Sequence, residues 1–192
     1  MLEKKKEEER DEPMNDSERE KLIRSGKQLL STIYQDEDIK RDDLEKGKSY
    51  LFKEKKPEMG FRVSLEMMKE EGKGYFLSRM NPRKVKERYQ VSDESISFYW
   101  LTTLNGKNRF DPADLSLISH SMIDFLEGES GPIFMEGVES ILKQNSFSRF
   151  LGILDHLVDV VDVEEGILVV SLDPKTLSEQ RLAQIERKLK TL

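Results

Sequence analysis

The stretch Gly131–Asn145, GPIFMEGVESILKQN, decides the fold. Pro132–Met135 is a short apolar run of the kind that forms a strand buried on both faces. It ends in an acid, Glu136, with a second acid at Glu139. Nucleotide-hydrolysing α/β folds place a metal-binding acid at the end of such a strand. The complementary phosphate cradle, G-x-x-x-x-G-K-[ST], occurs nowhere in the 192 residues.

On either side of this stretch the same pattern recurs. Short strand-like runs at Tyr50–Phe52, Tyr75–Ser78, Ile96–Leu101 and Ile167–Leu172 alternate with segments of helical periodicity. Phe61, Leu65 and Met68 predict a helix over 61–71, closed by Gly72 and Gly74. Asn81-Pro82 predicts a capped helix over 81–89. Asp111-Pro112 is expected to cap a helix with Leu115, Ile118, Met122 and Phe125 inward. Asn145/Ser146 is expected to cap another, and Thr176-x-x-Glu179 reads as a capping box for the last. Continuous apolar strands alternating with amphipathic helices predict a three-layer αβα domain over 48–192, with a mostly parallel five-stranded sheet covered on both faces.

Upstream, residues 1–16 are a charged run with too few apolar side chains to offset chain entropy, and disorder is expected there. Ser17-Glu18-Arg19-Glu20 is a capping box. It opens an amphipathic helix over 17–35, suited to packing on the domain or to forming a homodimer, and a charged linker runs to residue 47.

Composition narrows the function classes. The chain is 36% charged, with 32 basic and 38 acidic residues and a net charge of −6. Mixed charge with an acidic excess argues against broad nucleic-acid or anionic-membrane binding. Without Cys, disulfides, thiolate metal sites and cysteine nucleophiles are excluded. No apolar run approaches the ~20 residues needed to span a bilayer, and a cytoplasmic protein is expected. His120 and His156 lie far apart with no zinc-ligand spacing, so no metal or other cofactor is expected.

In an open parallel sheet, ligands collect at the carboxyl ends of the strands. That rule selects Lys53, Arg79, Trp100, Glu136, Glu139 and Asp173 as candidate ligand- or partner-binding residues. Glu136 and Glu139 have two readings. One is metal binding or general-base chemistry. The other is structural, with the strand-end acid capping the next helix or paired with Arg79; two acids with no third ligand favour it. Between Phe52 and the first helix the chain reads KEKKPEMG, with a single Gly, and Pro57 removes an amide donor. That segment cannot form the nest of amides that ordinary NTP hydrolysis uses.

Several segments, in order, resemble an archaeal family, Domain of Unknown Function 835. They are YLFKE (Tyr50–Glu54), GYFLSRMNP (Gly74–Pro82), YWLT (Tyr99–Thr102), FDPADL (Phe110–Leu115), GPIFMEGVESILKQNSF (Gly131–Phe147) and VVSLDPKTL (Val169–Leu177). The family pattern has Asp at the place Glu136 takes. The family is in turn similar to a RecA/KaiC-type ATPase core whose phosphate loop has eroded. This resemblance implies a P-loop-NTPase-like fold without the P-loop and a signalling or regulatory module that docks a protein partner without catalysis. Its alternative is a degenerate nucleotide or phospho-ligand binder in which Lys53, Lys55 and Arg79 hold an anion and Glu136 or Glu139 a cation.

Overall fold

A computed structural model of the chain describes residues 41–91 and 94–192. The expected tail over 1–16, the helix over 17–35 and the homodimer assigned to that helix lie outside the described residues. All five expected strands are present: β1 (Lys48–Lys53), β2 (Gly74–Ser78), β3 (Ile96–Leu101), β5 (Pro132–Glu136) and β6 (Ile167–Leu172). The sheet is larger than the sequence indicated. Two-residue strands, β4 (Arg109–Phe110) beside β3 and β7 (Lys190–Thr191) beside β1, extend it to seven strands in the order β4-β3-β2-β5-β6-β1-β7. Every pairing is parallel. Strands of two residues carry no period to read, and their short length and basic residues blunt the sheet edges.

The central strands β2, β5 and β6 are buried along their whole length, because helices cover both faces. On one face lie α1 (Glu58–Glu71) and α2 (Pro82–Tyr89). There Phe61, Met67, Met68 and Val85 pack with Tyr50, Phe52, Phe76, Phe134 and Val169. The Phe134 ring stands edge-on to Phe61 at 5.2 Å and stacks on Phe76 at 4.7 Å. On the other face lie α3 (Leu115–Glu129), α4 (Val138–Gln144), α5 (Phe147–Val163) and α6 (Glu179–Glu186). Ile118, Met122, Leu154 and Ile185 meet Leu51, Leu77, Ile133, Met135 and Val170 there. Alternate residues of each strand feed opposite cores, as the pleat requires.

The helix ends show where local chemistry prevailed. Asn81 caps α2 as expected, its side chain accepting from the Arg83 amide at 2.9 Å. Ser146 caps α5, accepting from the Arg149 amide at 3.3 Å. Asp111 does not cap α3: its Oδ1 accepts from the Ala113 amide at 2.9 Å, closing a turn one residue short of Asp114, the N-cap position. The last capping box is also displaced. Asp173 accepts from the Lys175 amide and starts a 3-10 turn over Pro174–Thr176, so Ser178 becomes the cap of α6. α1 starts at Glu58, earlier than the expected Phe61, and α4 follows β5 at once, with only Gly137 between.

Candidate functional site

The turns after β1, β2, β5 and β6 surround a cleft of about 470 Å³ at the carboxyl edge of the sheet. β6 lies between β1 and β5, and Ser171 on β6 is in register with Phe52 on one side and Glu136 on the other. The acids that end or follow these strands, Glu54 and Glu136, thus stand on either side of Ser171.

Glu54 folds back onto the start of α1. Its Oε2 accepts from the Met59 amide at 3.0 Å, and its Oε1 accepts from the Gly60 amide at 3.0 Å and from Ser171 Oγ at 2.7 Å. The first amides of a helix have no intrahelical acceptor and carry the positive end of its dipole. They form a natural anion site, and here the chain's own carboxyl group occupies it. Gly60 makes the approach possible, since a Cβ there would lie 2.6 Å from Glu54 Oε1 and 3.0 Å from the Phe134 ring. Burial pushes the Glu54 pKa above its ordinary value of 4.5; the bonds from Ser171, Gly60 and Met59 offset part of that, and nearby Glu58 adds to it.

Glu136 is only 4% exposed. Its Oε2 accepts from Ser78 Oγ at 3.0 Å and from the Arg79 amide at 2.9 Å, and its Oε1 accepts from Arg79 Nε at 2.6 Å. Arg79 Nη2 also contacts Oε1 and lies 3.8 Å from Glu139 Oε2. Partial burial works against the Arg79 charge, but the hydrogen bond and the negative charges of Glu136 and Glu139 outweigh it, so its pKa is raised. Gly137, at φ 102°, lets the chain turn beneath this arginine; a Cβ there would lie 2.8 Å from Arg79 Cγ. Glu139 Oε1 accepts from the Asp173 amide at 3.0 Å, while its Oε2 is buried with no hydrogen-bond partner. Trp100 Nε1 donates to the Arg79 carbonyl at 2.9 Å, and the Arg109 guanidinium lies over the indole at 5.1 Å. One network therefore joins the turns after β2, β5 and β6 to β3.

The structure sorts the candidate residues. Arg79, Glu136, Glu139 and Asp173 converge on the cleft. Lys53 does not: its Nζ pairs with Glu186 on α6 at 2.8 Å, because the pleat turns it away from its neighbour Glu54. Trp100 also lies outside the cleft lining and acts as a strut for the Arg79 backbone. Both Glu136 oxygens are engaged, and no group of three or more His, Cys, Asp or Glu among the described residues could hold a metal ion. Among the charged lining residues, Lys143 and Arg181 were not singled out in the sequence, and Glu54, which the strand-end rule places at this edge, was not chosen as a candidate. Glu54 lies four residues before the first residue of α1, a helix whose N-cap, Pro57, offers no side-chain acceptor.

Residues 53–189 match the family described as Protein of unknown function (DUF835). The chain belongs to this family. The matched span of the DUF835 family begins at the last residue of β1 and ends before β7, so it includes every cleft residue named above. No curated protein matches the chain. Among the described residues no helix is long and apolar enough to cross a membrane.

Two outcomes follow from this geometry. Arg79→Ala leaves the buried Glu136 carboxylate without its cation, and urea unfolding should show a loss of about 3 kcal/mol, the low end of the range for a broken buried pair because Arg79 is half exposed. An unchanged midpoint would mean that solvent already satisfies Glu136. For Glu54 the native state holds a proton more tightly than the unfolded chain. Its contribution is therefore full below the ordinary value of 4.5 and is lost as pH rises through the raised native pKa. The unfolding free energy of the natural chain minus that of Glu54→Gln should fall as pH rises above the ordinary value of 4.5. A flat or rising difference would contradict the assignment.

Proposed function

We propose that this chain is a non-catalytic regulatory or signalling module, built on a RecA/KaiC-like scaffold without a phosphate loop, that acts by binding a protein partner. The observation carrying this reading is the carboxyl group of Glu54 on the Met59 and Gly60 amides. A phosphate cradle needs free helix-terminal amides and a Lys to reach the terminal phosphates. Here the amides already have an acceptor, Pro57 lies in the turn, and the lysine that ends the strand is paired with Glu186. The strand order supports the scaffold: the turn after β1 and the acid ending β5 face one another across β6, the placement a phosphate loop and a metal-binding acid would need. The acid is engaged by Arg79 and Ser78, which leaves it no oxygen for a metal or an attacking water.

A degenerate nucleotide or phospho-ligand site at the same edge is the second reading. It needs Lys53 and Arg79 as anion clamps, and both are committed to carboxylates. Lys55 alone of the three remains available in the cleft.

The test is turnover. Incubated with ATP or GTP and Mg²⁺, the full chain should release phosphate at the uncatalysed background, and Glu136→Ala should leave that rate unchanged. Mg²⁺-dependent hydrolysis abolished by Glu136→Ala would overturn the reading.

A further inference from the structure

The cleft separates its charges unevenly. Each of its four acids is held from within the protein: Glu54 by Met59, Gly60 and Ser171, Glu136 by Ser78 and Arg79, Glu139 by the Asp173 amide, and Asp173 by the Lys175 amide. Three of its four cations, Lys55, Lys143 and Arg181, have no acidic partner among the described residues. They come from three different elements, the turn before α1, the end of α4 and the first turn of α6. The Arg181 guanidinium lies over the Phe147 ring at 5.2 Å, a contact with the ring face that uses none of its hydrogen-bond donors. In a chain of net charge −6, gathering unpaired cations in one concavity runs against the overall balance. Leu142, Leu172 and Leu177 add apolar side chains to the same lining.

We propose that this cleft binds a small organic anion carrying two or three oxyanion groups, which Lys55, Lys143 and Arg181 recognise. The proposal rests on the reading of the chain as a module that works by binding rather than by turnover, and it gives that module an input ligand. The volume of about 470 Å³ lies in the range of small-molecule pockets. Cations from three elements select a multiply charged ligand, since one oxyanion could satisfy only part of the set. The leucine side chains suit a short hydrocarbon body between the anionic groups. Carboxylate and phosphate share the recognising chemistry, so the probes separate them.

The experiment measures the thermal midpoint of the full chain with citrate and, separately, with pyrophosphate, both free of Mg²⁺, against sodium chloride at matched ionic strength. A midpoint that rises saturably with either probe above the chloride control is expected, as ligand binding to the native state requires. A response to citrate alone assigns a polycarboxylate, to pyrophosphate alone a phospho-ligand, and to both a general oxyanion site. The Lys143→Glu/Arg181→Glu double variant should weaken binding roughly tenfold or more, as loss of charged hydrogen bonds does, while Lys53→Glu, an equal charge change per site outside the cleft, should leave it intact. If the double variant does not fold, Lys55→Glu, on an exposed turn, carries the same comparison. No rise above chloride, or a rise kept in the cleft variants, would overturn the proposal. Nucleotide turnover is a separate readout, so failure of this site and failure of the non-catalytic reading are told apart.

Discussion

A carboxyl group withdrawn from water must find donors, and the head of a helix has donors that must find acceptors. In this protein the two requirements meet in Glu54 and α1. The contact sets much of what surrounds it. Gly60 must lack a side chain for Glu54 to reach the amides. Ser171 donates from the adjacent strand and so ties the β1 turn to the centre of the sheet. Phe134, whose ring would lie 3.0 Å from a Cβ at Gly60, closes the space under Gly60 from the core side. The turn between β1 and α1 is thereby a closed piece of structure.

The second constraint is Glu136. A carboxylate this buried is tolerated only when paired and hydrogen-bonded, and Arg79 supplies both its backbone amide and its guanidinium. Glu139, Asp173 and Trp100 extend that pairing across neighbouring turns. With Glu54 and Glu136 both satisfied internally, the carboxyl edge keeps a cleft whose uncommitted groups are cations.

How much of this was legible in the sequence follows from the range of each interaction. The five long strands were readable because burial on both faces forces continuous apolar runs. β4 and β7 were not, since pairing with an existing edge needs no pattern of its own. Asn81 and Ser146 were readable as caps because their partners are two or three residues away. Asp111 and Thr176 misled because Asx turns at Asp111 and Asp173 captured the nearby amides first. The Arg79–Glu136 pair could be anticipated, as both lie at the ends of strands drawn to one edge. Glu54 could not, because its role depends on Ser171, 117 residues away. Lys143 and Arg181 sit on helices whose rotation toward the cleft is decided by packing. Lys53 failed as a candidate for the opposite reason: alternation along β1 sends it toward Glu186 while Glu54 turns inward.

The central claim, that Glu54 takes the place of an external anion on α1, is tested most directly by amide NMR of the full chain. The Met59 and Gly60 amide resonances should stay in place as Mg²⁺-ATP is added, and should shift together as acid titrates Glu54. Saturable movement of these two resonances with Mg²⁺-ATP would contradict the account.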